Sequence, residues 1–245
     1  MQIVPVIDVL DGEVVHGRAG NRETYRRIRS QLTESVKPRE VLDCLVKATA
    51  AKTVYVADLN GLMQRPVQTD VLNQLAEAGV GRMIDAGIRS ADVVKRLPDA
   101  EHVQLVLASE SIPSLQALRE IIACHSCRRF VFSFDLIDDL LRSPVAEWRA
   151  KPLLELAKIV WDLRVSDWIV LDVRSVGMTT GPTTLARCLD FKRQFSTSRL
   201  ITGGGVRNLS DLERLKQVDV SDVLLATALH DGSITETDIQ TLQTS

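Results

Sequence analysis

Apolar residues along this chain fall into eight short runs, and each run is followed by residues with helical spacing. The first run, residues 2–9, is apolar at nearly every position, which is typical of a strand buried on both faces of a parallel sheet. Residues 67–78 then show the spacing of an amphipathic helix and stop at Gly79, a common helix C-cap. The regular alternation predicts repeated strand–helix units without a linker.

Eight such units predict a single α/β domain over residues 1–245, folded as a (β/α)8 TIM barrel. The alternative is an open, doubly wound sheet. The predicted strands cover residues 2–9, 53–58, 82–85, 102–107, 129–135, 167–172, 200–202 and 223–226. The main predicted helices cover residues 38–51, 67–78, 113–123, 153–163, 182–195, 209–218 and 234–242, and Pro98 ends a further one.

The sequence repeats internally. Residues 83–90 recur as residues 201–208, 118 positions later, and residues 106–109 recur as 224–227 at the same spacing. Two consecutive strand–helix units therefore recur in step, which favours two similar half-barrels. The predicted half-barrels span about residues 1–125 and 126–245.

The repeated units are rich in glycine and small residues. In the second unit, Gly203, Gly204 and Gly205 follow a strand and precede a helix, so that backbone N–H groups can close on an anion. A glycine triplet alone is weak evidence, because a tight turn needs the same residues. The candidate phosphate-binding residues are Gly204, Gly205, Ala226 and Thr227 in the second unit, and Gly87, Arg89, Ala108 and Ser109 in the first.

Aspartates end five of the predicted strands, and in a barrel these ends meet at one mouth. The repeat places strands one and five opposite each other, so Asp8 and Asp135 are expected to face each other as an acid–base pair. For Asp58 and Asp172 a capping role is favoured. Other candidates for the mouth are His16, Arg18, Asp58, Asp172 and Thr202.

Composition limits the classes of partner. A net charge of -2 provides no field for nucleic acid or an anionic membrane, so phosphate recognition is expected to be local. No run reaches the ~18 apolar residues of a spanning helix, and the first residues do not resemble a signal peptide. We therefore expect a cytoplasmic protein that binds a small phosphorylated molecule and is a monomer or a weak homo-oligomer.

Two further segments leave alternatives open. Cys124, His125 and Cys127 could contribute three ligands to a structural zinc site, but no second cluster supplies the fourth, and cysteines at a helix end are favoured. Residues 17–37 form a long, arginine-rich polar segment. A loop of that length is either functional or a solvated surface loop.

Together these motifs resemble a known family. Residues 4–8 with Gly12, residues 57–61, residues 86–90 and residues 203–207 look like the phosphoribosylformimino-aminoimidazole-carboxamide ribotide isomerase of histidine biosynthesis and its cyclase sister. The match covers nearly the whole chain.

The resemblance implies a duplicated half-barrel that binds a bisphosphorylated ribotide. It implies an Amadori rearrangement of an aminoaldose to an aminoketose, without a metal or cofactor. The family's general base and general acid correspond to Asp8 and Asp135.

Several positions depart from the family pattern. Ala86 and Ala108 replace glycines, which weakens the expected first phosphate site. Leu171, Val176 and Met178 replace polar residues of the strand-six loop. This pattern is more similar to isomerase-related paralogues of one-carbon, pterin-cofactor and methanogenic metabolism than to the histidine enzyme. A ribotide isomerase, an enzyme for another sugar phosphate and a non-catalytic phosphate-binding protein all stay open.

Overall fold

Eight parallel strands close into a barrel around an apolar interior. The computed structural model describes residues 1–17, 20–21, 24–77 and 79–244. The barrel strands are β1 (Gln2–Leu10), β4 (Thr53–Asp58), β5 (Gly81–Asp85), β6 (Val103–Ala108), β7 (Arg129–Ile137), β9 (Asp167–Asp172), β10 (Arg199–Gly203) and β11 (Asp222–Leu225). Short antiparallel strands extend the sheet: β2 (Glu13–His16), β3 (Arg26–Arg27) and β8 (Leu140–Leu141).

The barrel closes between the first and last strands. Each barrel strand pairs in parallel with the next one along the chain, and β1 pairs with β11, with Gln2 opposite Asp222. The predicted single (β/α)8 barrel is confirmed, and the open sheet is excluded. The half-barrel boundary near residue 125 stays a prediction.

Helices surround the strands. They are α1 (Pro38–Thr49), α2 (Leu59–Leu62), α3 (Thr69–Ala76), α4 (Ala91–Val94), α5 (Leu115–Cys124), α6 (Ala146–Arg149), α7 (Leu153–Asp162), α8 (Leu185–Gln194), α9 (Leu209–Gln217), α10 (Thr227–His230) and α11 (Glu236–Thr244), with a 3-10 helix at Val173–Ser175. Ser114 and Asn208 cap α5 and α9 by accepting hydrogen bonds from main-chain N–H groups. Within the described residues, no helix is long and apolar enough to cross a membrane.

The structure differs from the sequence prediction beyond β7. The sequence predicts a strand that ends at residue 135 and no further element before residue 153, but β7 continues to Ile137 and turns back into β8. Asp138 and Asp139 form the turn with φ values of 50° and 68°. Aspartate tolerates this left-handed conformation better than most residues, so a hairpin forms without glycine.

Two layers of apolar side chains arise from alternation along each strand. One face of the strands fills the barrel, and the other packs against the helices. The inner layer consists of Val4, Met83, Val106, Val131, Ile169, Ile201 and Leu224. In the outer layer, Phe134 packs edge-on against Trp168 and Phe191, at centroid distances of 5.9 and 5.0 Å. The position of a residue in this alternation therefore decides whether its side chain reaches the mouth.

The described part of the segment 17–37 is held against the barrel. The strand β3 pairs with β2, and the main-chain N–H of Gln31 donates to the carbonyl of His230 at 2.8 Å. Near the end of the segment, Val36 accepts a 2.8 Å hydrogen bond from the N–H of Val14. The segment thus connects the hairpin after β1 to the end of α10.

Candidate active site

Strand register separates the strand-end aspartates into two groups. On one side of the barrel, Asp8 pairs with Ala57, which pairs with Asp85, so all three lie in one layer. Asp58 is one residue further along β4, opposite Val9 of the outer layer. Because successive side chains alternate, Asp8 and Asp85 face the mouth and Asp58 faces outward.

The opposite side of the barrel follows the same rule. Asp135 on β7 pairs with Leu171 on β9, and both line the mouth. Asp172 is one residue further and pairs with Leu136, which belongs to the outer layer. The barrel therefore brings Asp8 and Asp135 to one cavity, as the sequence predicted.

The cavity at the mouth has a volume of about 130 Å³. Its polar side chains come from Asp8, Tyr25, Tyr55, Asp85, Glu110, Asp135 and Thr227. Its apolar wall includes Leu171, Val176 and Met178, as the sequence departures suggested. Among the described lining residues there is no lysine or arginine, so an anion there would meet main-chain N–H groups and hydroxyls and no cationic side chain of that lining.

Asp135 is almost fully enclosed in the cavity, with a relative exposure of 6%. Ser133 Oγ donates to its Oδ1 at 2.8 Å, and its own N–H donates to Ser109 Oγ at 3.0 Å. Burial, followed by the nearby carboxylates of Glu110 and Asp85, raises the pKa of Asp135 well above its ordinary value. This environment favours the protonated form, which a general acid needs.

Tyr55 lies among the carboxylates. Its hydroxyl donates to Asp85 Oδ2 at 2.9 Å. Burial, followed by the charges of Asp85, Asp135 and Asp8, raises the pKa of Tyr55 well above its ordinary value. The phenol therefore stays protonated and serves as a fixed hydrogen-bond donor.

Asp8 is covered by the hairpin that follows β1. A Cβ added to Gly17 would overlap Asp8 Oδ2 and lie 3.5 Å from Tyr25 Oη. Only glycine lets the main chain approach the carboxylate this closely. The first loop therefore forms part of the site around Asp8.

The second glycine-rich unit opens into the cavity. Gly204 and Gly205 adopt φ values of 81° and 71° and line the cavity with Ala226 and Thr227. The Gly205 carbonyl accepts a 2.9 Å hydrogen bond from the Gly181 N–H, which fixes the loop. His16 lies beside this unit, with Nε2 3.1 Å from Thr227 Oγ1.

In the first glycine-rich unit Asp85 lines the cavity, but the four candidate phosphate-binding residues do not. The guanidinium of Arg89 lies within this unit and donates to the carbonyls of Gly87, Gly61 and Leu62 at 2.6, 3.0 and 3.1 Å. Gly87 adopts a φ of 61°, and an added Cβ would lie 2.7 Å from the Gly61 carbonyl oxygen. Arg89 therefore joins this unit to the adjacent helix α2.

The other two residues of the first unit are also enclosed. Ala108 and Ser109 have no exposed surface. Ser109 Oγ donates to the Arg142 carbonyl at 3.1 Å and accepts from the Asp135 N–H, as described above. Ser109 thus positions Asp135.

Asp58 and Asp172, two of the predicted mouth residues, lie outside the cavity. Asp58 accepts hydrogen bonds from the Gly61 N–H, which caps α2, and from the Gln68 side chain. Asp172 caps the 3-10 helix through a 3.0 Å hydrogen bond from the Arg174 N–H. Both match the favoured capping role.

Thr202 faces outward, so the prediction that it lies at the mouth is wrong. Its hydroxyl donates to the Val170 carbonyl and contacts the Thr184 hydroxyl, each at 2.6 Å. On β10 the alternation places Ile201 inside the barrel and Thr202 outside it. Arg18 lies outside the described residues.

Sequence reasoning did not select Asp85, Glu110, Tyr25 or Tyr55 as site residues, although all four line the cavity. Asp85 ends a strand, as Asp58 does, and only the pairing between β4 and β5 shows which of the two faces inward. Glu110 directly follows the small residues of the first unit. Its position after a strand end was the available signal.

Metal-ligating residues are dispersed in the described part of the chain. Within that part, no group of three histidine, cysteine or acidic side chains has the geometry to hold a metal ion. Cys124 and Cys127 are free and exposed near the end of α5. Cys188 is buried, and burial raises the pKa of its thiol to about 11, so it stays protonated.

A comparison with known protein families identifies the family of this chain. The model of a family described as histidine biosynthesis protein matches residues 2–235. The chain belongs to this family.

Relatives within the histidine biosynthesis family align along almost their whole length. An uncharacterized protein of Methanocaldococcus jannaschii is 29% identical over 235 residues, which cover 95% of this chain and 94% of that protein. Two relatives are named 1-(5-phosphoribosyl)-5-((5-phosphoribosylamino)methylideneamino) imidazole-4-carboxamide isomerase. The one from Cenarchaeum symbiosum is 26% identical over 240 residues, covering 96% of this chain and 97% of that protein. The one from Streptococcus thermophilus is 24% identical over 239 residues, covering 96% of each.

Proposed function

We propose that this protein is an isomerase that converts a phosphorylated aminoaldose into an aminoketose. The observation that carries the proposal is the placement of two aspartates with different environments, Asp8 and Asp135, in one cavity. Relatives that bear an isomerase name support the reaction class.

The acid and base roles follow from the surroundings of each carboxylate. Asp135, whose pKa is raised, protonates the ring oxygen of the sugar, so the ring opens to an imine. Asp8 removes the proton from C2, and the resulting enolamine tautomerises to the aminoketone. One proton leaves C2 and another is delivered by the acid, so the reaction needs no external redox partner.

The phosphate of the substrate binds on the side of the cavity that the second glycine-rich unit forms. Main-chain N–H groups of Gly204, Gly205, Ala226 and Thr227 are the proposed donors. The positive φ values of the two glycines support this assignment, because such turns expose successive N–H groups to an anion. Apolar Leu171 and Met178 exclude water from the reacting carbons.

A turnover assay tests the proposal. The wild-type protein should isomerise at least one member of a panel containing the bisphosphorylated ribotide and smaller aminosugar and sugar phosphates. Asp8→Asn and Asp135→Asn should each reduce kcat by about 10²–10⁴-fold, the contribution of a positioned acid or base. Phosphate affinity should change by no more than a few fold.

The control is Asp162→Asn, which makes the same chemical change on the exposed surface of α7. It should leave kcat unchanged. If the wild type isomerises no compound in the panel, while Asp8→Asn abolishes binding to a protein partner, the non-catalytic alternative replaces the isomerase proposal.

A further inference from the structure

The two glycine-rich units differ in their access to the cavity. In the first unit, the Arg89 guanidinium is bonded to three main-chain carbonyls, and neither Gly87 nor Arg89 lines the cavity. In the second unit, Gly204 and Gly205 lie on the cavity surface. The cavity therefore has main-chain donors for an anion on one side.

The cavity side nearest the first unit presents acceptors. Asp85 and Asp135 are about 95% buried there, and Glu110 Oε2 lies 3.1 Å from Arg142 Nη1. A carboxylate accepts hydrogen bonds at several lone pairs, so Asp85 and Glu110 can accept from a ligand in addition to their protein partners. A hydroxyl or amino group matches them, because it donates.

A phosphate at the same place would be poorly matched. Its oxygens are acceptors, as are those of Asp85 and Glu110, and the cation beside Glu110, Arg142, is already paired with that carboxylate at 3.1 Å. The cavity volume of about 130 Å³ is also below the ~300–1,000 Å³ of typical ligand pockets. Both features favour a compact ligand.

We infer that the substrate carries a single phosphate, held by the second glycine-rich unit, and that hydroxyl or amino groups occupy its opposite end beside Asp85 and Glu110. This inference rests on the proposed function, since it specifies the substrate class of the same site. It differs from the bisphosphorylated ribotide that the family resemblance implies.

Calorimetric titration with ribulose 5-phosphate and ribulose 1,5-bisphosphate tests the inference. The two probes share the sugar and differ in one phosphate. The monophosphate should bind at least about tenfold more tightly to the wild-type protein. Equal or tighter binding of the bisphosphate would overturn the inference, as would the failure of both probes to bind.

The acidic end is tested by Glu110→Gln, which removes one charge and keeps the size of the side chain. It should reduce the preference for the monophosphate by at least about threefold. Asp85→Asn should act in the same direction and serves if Glu110→Gln does not fold. The control, Glu120→Gln on the exposed face of α5, should keep the wild-type ratio. An unchanged ratio in the folded cavity variants would contradict the inference.

Binding and turnover separate this inference from the proposed function. A protein that prefers the monophosphate but isomerises nothing would refute the isomerase proposal and keep the inference. Isomerisation of the bisphosphorylated ribotide together with tighter bisphosphate binding would refute the inference and keep the isomerase proposal.

Discussion

The two sides of the cavity obtain their polarity from different parts of the chain. On the acidic side, formed by Tyr55, Asp85, Glu110 and Asp135, side chains provide it. On the glycine side, formed by Gly177, Gly204, Gly205, Ala226 and Thr227, it comes mainly from the main chain. Side chains can exchange protons, whereas main-chain N–H groups keep their protons at every physiological pH. The acidic side is therefore suited to proton transfer and the glycine side to holding an anion.

Substitution on the glycine side should have the largest effect on phosphate binding. In Gly205→Ala, the methyl group would collide with the Gly181 carbonyl and lie 2.9 Å from Thr180 Oγ1, at a φ of 71°. The loop must move, and a charge-assisted hydrogen bond is worth ~1.5–3 kcal/mol. Calorimetry with ribulose 5-phosphate should show an affinity at least about tenfold lower.

Gly79→Ala is the matched control for Gly205→Ala. Gly79 has a similar φ of 74°, and an added Cβ there meets no atom within 4 Å. This variant carries the same backbone strain in open space and should bind the probe as the wild type does. Equal losses in both variants would show that strain, not the phosphate loop, reduces the affinity.

A glycine of the first unit should affect stability and leave phosphate affinity unchanged. In Gly87→Ala, the methyl group would lie 2.8 Å from Arg89 Nη1 and 2.9 Å from Leu62 Cα, at a positive φ. Strain of this kind costs ~1–3 kcal/mol. Urea denaturation should show a loss of about 2 kcal/mol, and calorimetry should show wild-type affinity. A weaker phosphate affinity would mean that the first unit does bind the ligand.

The acidic side should make stability depend on pH. Because the pKa of Asp135 is raised in the folded protein, folding takes up a proton at this site above the unfolded pKa of ~3.9. Its favourable contribution is complete below that value and is lost as pH rises toward the folded pKa. Asp135→Asn lacks this dependence.

Denaturation of wild type and Asp135→Asn at pH 5, 6, 7 and 8 measures this effect. The unfolding free energy of the wild type minus that of the variant should fall as pH rises, by at most ~1.4 kcal/mol per pH unit. A rise in this difference with pH would show that Asp135 is stabilised in its ionised form.

Sequence patterns predicted the barrel better than they predicted the cavity. Strand and helix periods, together with the internal repeat, were sufficient for eight strand–helix units. Which aspartate faces inward depends on the pairing of neighbouring strands, so Asp85 was overlooked and Thr202 was misplaced. The closure of the first glycine-rich unit depends on the Arg89 side chain reaching three carbonyls, one in its own loop and two in α2. A local pattern does not encode such a contact.

The pairing of β1 with β11 has a consequence for synthesis. Gln2 pairs with Asp222, so one edge of β1 stays unpaired until β11 is synthesised, 220 residues later. At ~5–20 residues per second, that interval is roughly 10–45 s on the ribosome. An exposed strand edge promotes aggregation during this time. The strand that carries Asp8 therefore pairs on both edges only after β11 has been made, and the cavity is complete only from that point.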